Sequence, residues 1–223
     1  MDDLQLPRML HAAFLRSPYA HAKVNGFDLE AARAVPGVHT ILTGKDLIDV
    51  VEPYVGVLSH LAGLRSAPQM PIAVNVARWQ GEPIAMVIAS SRAIAEDAAE
   101  LVEAEIDPLD AATDMEHALD PDTPVIHAEF GSNLAWERLV EAGDDVTGVE
   151  RRFRFGRHTG VTLEARAAVA DYDPSEDTLS FSYSGQAPHM MQFIFAKHLG
   201  LPEENVRVVS QDVGGSFGIK IHT

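Results

Sequence analysis

Val206-Arg207-Val208-Val209-Ser210-Gln211-Asp212-Val213-Gly214-Gly215-Ser216-Phe217-Gly218-Ile219-Lys220-Ile221-His222-Thr223 ends the sequence, and its reading decides how everything before it is read. A β-branched run leads into three glycines and a serine around Phe217. Three glycines in five positions let the backbone take positive φ and let a ligand approach the main chain. Successive N–H groups in such a turn form a concavity suited to an anion. A binding loop also needs walls, and none follow this one, so another chain is expected to supply them.

Two familiar phosphate loops do not fit. A G-x-x-x-x-G-K-[ST] loop needs lysine directly after its last glycine and then a hydroxyl. Here Gly218 is followed by Ile219, and Ile221 stands where a hydroxyl is needed. The dinucleotide spacing G-x-G-x-x-G is also absent. Two readings stay open from the residues alone: a backbone nest for an anionic or oxo-rich ligand, and a structural turn.

Working upstream, Val206 to Ser210 reads as a strand, and Gln186 and Pro188 open a helix reaching about Leu199, which Gly200 and Pro202 close. Thr178 to Ser184 sets Leu179, Phe181 and Tyr183 on one face and forms a hairpin with a strand over Val161 to Tyr172 that carries Glu164. This order puts Gln186 and Gly214 to Gly218 at comparable strand ends, where α/β units bind ligands. Val149 to Phe155 alternates basic and aromatic residues and reads as an amphipathic strand, after a polar Glu141–Asp145 segment.

The N-terminal part has its own grammar. Strands are expected at His11 to Pro18 and within Tyr19 to Phe27. A short helix capped by Asp28 and stopped by Pro36-Gly37 comes next, then a strand at Val38 to Leu42 and a turn at Thr43-Gly44. Residues 48–71 are broken by prolines and glycines and read as a surface excursion. Order resumes with strands at Val74 to Trp79 and Ile84 to Ala89. A helix over Ala93 to Val102 follows, its stripe made by Ile94, Ala98, Leu101 and Val102, and then a strand at Glu103 to Ile106. From Ala93 to Glu137 there are 13 Asp or Glu and no Lys or Arg, without the ligand spacing of a calcium loop, so this is a solvated face. The fold class is α+β, with units 1–130 and 131–223 joined by an acidic, proline-bearing stretch.

Composition narrows the partners. A formal net charge of −16 argues against a nucleic-acid backbone as partner, because that surface needs a basic patch. The absence of cysteine removes disulfides, thiolate metal sites and a cysteine nucleophile. No apolar run approaches the roughly 20 residues of a membrane span, and the acidic start Met1-Asp2-Asp3-Leu4 is unlike a signal peptide. The expected compartment is the cytoplasm.

Gln186-Ala187-Pro188-His189 and Gln211 to Lys220, taken together, resemble the molybdenum hydroxylases: xanthine dehydrogenase, aldehyde oxidase and aerobic carbon monoxide dehydrogenase. Phe14-Leu15-Arg16-Ser17-Pro18-Tyr19-Ala20-His21-Ala22, Val35-Pro36-Gly37-Val38 and Gly81-Glu82-Pro83-Ile84-Ala85 are similar to the α/β hammerhead domain of that family's large subunit. The resemblance runs in order over nearly the whole chain. It implies a hammerhead-like domain followed by the start of a molybdopterin-binding domain, completed by another chain.

The resemblance implies roles as well. Gln186 matches a glutamine whose amide lies near the apical oxygen of molybdenum, where a neutral donor holds an oxygen without competing as a ligand. Gly214, Gly215, Ser216, Phe217 and Gly218 match the loop beside the pterin, with Phe217 also open to a place in the core. No side chain here is assigned as a metal ligand. Three departures stand out: Ser216 replaces a third consecutive glycine, Ile221 replaces the glutamate of purine-oxidising members, and Glu164-Ala165-Arg166 lacks the proline of the family's Glu-Pro-Arg. Glu164 is read as a structural or pocket-wall carboxylate rather than the base, because the family's general base lies much further along its large subunit.

The implied activity is oxidation of an aldehyde or N-heteroaromatic small molecule, with water as the oxygen source. Its implied cofactor is a molybdopterin-type molybdenum centre shared with a partner chain carrying the rest of the large subunit. Iron–sulfur clusters, and FAD where an assembly has it, are expected in an iron–sulfur and a flavin subunit, since this chain has no cysteine to hold a cluster. The rival readings are a non-catalytic scaffold or cofactor-insertion protein of the same fold, and a plain α+β protein whose glycine loop is a turn.

Overall fold

The computed structural model describes residues 3–56, 58, 60–141, 148–156 and 158–221. Backbone proximity divides the chain into a unit over Gln5–Glu137 and a second from Arg138 onward. Most of the expected polar segment at Glu141–Asp145 lies outside the described residues.

The first unit contains β1 (His11–Arg16), β2 (Ala22–Asp28), α1 (Glu30–Arg33), β3 (Val38–Thr43), α2 (Gly44–Leu47), β4 (Val76–Ala77), β5 (Pro83–Ala89), α3 (Arg92–Glu100) and β6 (Glu103–Pro108). Two antiparallel three-stranded sheets form, ordered β1-β5-β3 and β4-β2-β6. The apolar run Ile84 to Ala89 is the middle strand of its sheet, paired on both edges, and Ile84, Ala85, Val87 and Ala89 are fully buried. Its proline stands at the end of the strand, beside a register shift in β1, where a missing donor is tolerated.

The helix stripe is the expected one in part: Ala98 and Val102 are buried and Ile94 is half-buried. Ala95, Ala98 and Ala99 are the buried residues of α3, while Leu101 is exposed. Small side chains let the helix lie close on the sheet, packing with Ile41, Val87 and Val102, so close approach decided the face rather than side-chain size. Ser91 caps it, accepting from Ile94 N–H at 3.3 Å. Asp28 accepts from Glu30 N–H at 2.9 Å, but the cap position of α1 falls on Leu29, which has no side-chain cap bond, so the expected Asp28 cap is replaced by a turn just ahead of the helix. Thr43-Gly44 is not a simple turn: Asp46 accepts from Thr43 N–H at 2.7 Å and a capping box opens α2. The strand expected over Val74 to Trp79 shrinks to two residues.

The excursion at 48–71 has one antiparallel bridge, Tyr54 to Gln69. Arg65 ties it down, donating to the carbonyls of Phe130 and Leu134 with its guanidinium over the Phe130 ring. The acidic stretch is folded back in turn by Asn133, whose side chain donates to the carbonyls of Ala118 and Pro124.

The second unit contains β7 (Ala168–Asp173), β8 (Thr178–Tyr183), α4 (Pro188–Leu199) and β9 (Val206–Val209), with sheet order β7-β8-β9. β7 and β8 form the antiparallel hairpin, and β9 returns parallel to β8 after α4. Leu179, Phe181 and Tyr183 alternate inward and pack with Met191, Ala196 and Val206. Pro188 occupies the first turn of α4, and Gly200 ends it at φ 67°.

Two expected strands are corrected. Val149 to Phe155 forms no strand, and its apolar side chains are exposed. The strand carrying Glu164 starts only at Ala168. Upstream of that point the ladder runs out: Ala167 C=O still accepts from Ser184 N–H at 2.9 Å, but Ala167 N–H donates to Ser184 Oγ and Glu164 N–H to Gly214 C=O.

Candidate cofactor site

Because β8 and β9 are parallel, their C-terminal ends emerge on the same side of the sheet. Gln186 follows the first of these ends and the glycine loop follows the second. The turn at Gln186 is tightly fixed. Tyr183 is buried, and its ring lies where a Cβ on Gly185 would come within 1.8 Å of it, so only glycine fits there. Burial holds the Tyr183 phenol above its ordinary range, and its oxygen accepts from Ala187 N–H at 3.1 Å. Ser210 Oγ donates to Gly185 C=O at 2.5 Å, and Gln186 N–H donates to Lys220 C=O at 3.2 Å.

The loop is anchored by charge. Gly214 N–H donates to Glu164 Oε2 at 2.8 Å, and the buried Lys220 ammonium reaches the same oxygen at 3.2 Å. The Gly214 amide and then Lys220 hold the Glu164 carboxyl below the ordinary glutamate range. Arg166 adds a bond to Ile219 C=O at 2.5 Å. Of the two roles the sequence suggested for Glu164, structural or pocket-wall, these bonds support the structural one: it fastens the loop. A Cβ on Gly214 would meet Glu164 Cβ at 2.5 Å, while Gly215 and Gly218 sit at φ 94° and 85°. Phe217 has φ 49° and is 75% exposed, so it is no core anchor.

Gln186, Ser216 and Gly218 are brought into direct contact. Gly218 N–H donates to Gln186 Oε1 at 3.0 Å, and Ser216 Oγ donates to the same oxygen. Among the described residues Gln186 Nε2 has no hydrogen-bond partner, and neither have the N–H groups of Ser216 and Phe217. The amides of Gly214, Gly215 and Gly218 are used within the chain, so the nest is smaller than the glycine count suggests. Nothing lies within 4 Å of a Cβ placed on Gly218, which leaves room beside the loop. Open space, unpartnered N–H donors and an exposed neutral carboxamide suit an oxygen-rich anionic cofactor lying along this face.

Sequence reading missed Lys220 as the buried partner of Glu164, and Tyr183 and Ser210 as supports of the Gln186 turn. The one available signal was Lys220 itself, a lysine fixed two residues after the last glycine with no phosphate motif to explain it.

Comparison with known proteins agrees with this geometry. Residues 1–110 match the aldehyde oxidase and xanthine dehydrogenase a/b hammerhead domain, and residues 120–223 match the molybdopterin cofactor-binding domain. The large subunit of nicotine 6-hydroxylase from Paenarthrobacter nicotinovorans is 34% identical over 232 residues, which is 100% of this chain and 28% of that one. The carbon monoxide dehydrogenase large chain of Hydrogenophaga pseudoflava is 32% identical over 99% of this chain and 29% of its own length. Among solved structures, quinoline 2-oxidoreductase from Pseudomonas putida 86 superposes with a TM-score of 0.90 at 35% identity, over 98% of this chain and 28% of that one. The chain thus belongs to the molybdenum hydroxylase family, and it spans less than a third of these relatives' length.

Proposed function

We propose that the chain is part of the molybdenum-cofactor-binding large subunit of a cytoplasmic, multi-subunit hydroxylase. It acts on an N-heteroaromatic or aldehyde and is inactive without the chain carrying the rest of that subunit. The join between its hammerhead-like and cofactor-binding parts is placed at about residue 130. When bound, the molybdenum centre supplies a two-electron oxidation: a substrate C–H becomes C–OH with oxygen from water, and two electrons and two protons leave. The electrons pass to an iron–sulfur subunit and, where the assembly has one, a flavin subunit.

This chain's residues form one wall of that site. Gln186 offers N–H groups to an oxygen of the metal centre, and Gly214, Gly215, Ser216, Phe217 and Gly218 shape the pterin's edge. The observation carrying the reading is the Gln186 carboxamide, whose oxygen is tied to the loop while its nitrogen stays unpartnered. Names borne by relatives, nicotine 6-hydroxylase and quinoline 2-oxidoreductase, favour an N-heteroaromatic substrate. Ile221, standing where purine-oxidising members have glutamate, argues against xanthine.

The test is paired. Gln186→Ala in the assembled enzyme should keep its molybdenum, because a short polar truncation removes little packing. It should lose about 10²–10³-fold in turnover per bound molybdenum, the worth of one oriented donor. Near-normal turnover at full occupancy would reduce Gln186 to a helix-start residue. In a substrate screen, quinoline or nicotine should exceed xanthine.

A further inference from the structure

We propose that Ser216 is a positioning residue that closes the second lone pair of the Gln186 carboxamide oxygen, so that only N–H groups meet the cofactor; this rests on the site reading above. An amide oxygen has two lone pairs, and its nitrogen carries two donors. Gly218 N–H is a backbone donor that cannot rotate, so the amide must turn its oxygen toward it. The Ser216 hydroxyl fills the second acceptor position. With both lone pairs engaged, Oε1 has nothing to offer a ligand, and Gln186 presents only N–H. A flipped amide would set Nε2–H against Gly218 N–H and lose that bond, while the Ser216 hydroxyl would turn to accept from Nε2. Gly218 thus sets the orientation and Ser216 closes the second lone pair of the oxygen.

A glycine at this position would leave one lone pair open, so the serine is a local reinforcement rather than a defect. The backbone permits the tests, since Ser216 is outside the positive-φ region that Phe217 occupies next to it. Alanine and threonine therefore fit without main-chain strain.

The experiment uses the assembled enzyme with Ser216→Ala, Ser216→Thr, Gln186→Ala and the Ser216→Ala/Gln186→Ala double variant. It reads molybdenum per chain, kcat and KM per bound molybdenum on the best substrate of the screen, and the molybdenum EPR spectrum of the reduced enzyme in H2O and D2O. Ser216→Ala should keep its metal and KM, lose about three- to ten-fold in kcat and alter the exchangeable-proton splitting. Ser216→Thr should restore both, and the double variant should match Gln186→Ala alone. Loss of metal in Ser216→Ala, an unchanged kcat and spectrum, or a further drop in the Gln186→Ala background would each overturn the proposal. Wild-type turnover in Gln186→Ala at full occupancy would overturn the site reading together with it.

Discussion

The two units of this chain treat their apolar residues differently. In the unit over Gln5–Glu137, the sheet built on β5 is closed by α3, and Ile41, Ile72, Ile84 and Val87 are buried. In the unit from Arg138, the β8 face is covered by α4, yet Val149, Phe153, Phe155, Val161 and Leu163 are each more than three-quarters exposed. Leaving a large apolar side chain in water forgoes roughly 1.5–3 kcal/mol. Five in one stretch, in the unit that carries the glycine loop, form the exposed apolar surface on which the proposed partner chain would bear. The lesson is that both units have a core of their own, but among the described residues only the second leaves a run of large apolar side chains almost wholly in water.

The strongest way to break this comparison is to truncate on both sides of it. Ile84→Ala removes a fully buried side chain from a central strand and should cost about 2–5 kcal/mol. Phe155→Ala should change the stability of the chain by no more than about 0.5 kcal/mol, yet weaken its association with the remainder of the large subunit. Unfolding by denaturant and co-purification give the two readouts. A Phe155→Ala chain destabilised as severely as Ile84→Ala would show that the stretch is already packed.

A second pair acts within the loop. Gly214→Ala puts a methyl 2.5 Å from Glu164 Cβ and should displace the carboxylate that fastens the loop, cutting molybdenum per chain by about ten-fold or more. Gly218→Ala meets no neighbour and carries only the cost of φ 85°, about 1–2 kcal/mol, so its loss of metal should be smaller. Equal losses would mean that the loop is shaped by backbone conformation alone.

The acid limb sharpens the same point. The Glu164 carboxyl is held low in the folded chain, so its stabilisation is complete above the ordinary glutamate pKa and is lost as pH falls through the lower folded value. Cofactor retention should fall over that acid range, and Glu164→Gln should be weak at every pH and lack the transition. Molybdenum retained after equilibration across the range measures it. Retention that is flat in the wild type would remove Glu164 from the loop's support.

What the sequence disclosed follows from the range of the forces involved. The β8–α4–β9 unit was legible because Leu179, Phe181 and Tyr183 alternate and because Pro188 and Gly200 bracket the helix. The apolar run of β5 likewise declared a buried strand. The face of α3 was read in part: Ala98 and Val102 are buried as expected, whereas Leu101 is exposed and Ala95 and Ala99, which carry little hydrophobic signal, are buried instead. Within the site, Gln186 and the glycines could be named, but the Glu164–Lys220 anchor spans 56 positions and no local pattern marks it. Val149 to Phe155 read as a strand because its alternation is genuine, yet a strand needs a ladder partner, and the described residues contain none for it.

The smallest expected effect contrasts one carboxylate in each unit. Glu82 is buried beside β5, where its Oε2 accepts from Arg78 N–H at 2.5 Å. Burial raises its pKa, and the Arg78 bond offsets this only in part. The sign is therefore opposite to that of Glu164: between the unfolded and the raised folded value the native state holds the extra proton, so stability declines as pH rises through that window. Glu82→Gln keeps a carbonyl oxygen for Arg78 N–H and removes the charge. It should change stability at neutral pH by less than about 1 kcal/mol, while abolishing the decline. Hydrogen exchange of β5 amides, measured across the window in both proteins, isolates the first unit from the second. If the wild type and Glu82→Gln keep the same slope, the pH response of that unit belongs to another group, and the two units no longer differ in the sign with which a carboxylate responds to pH.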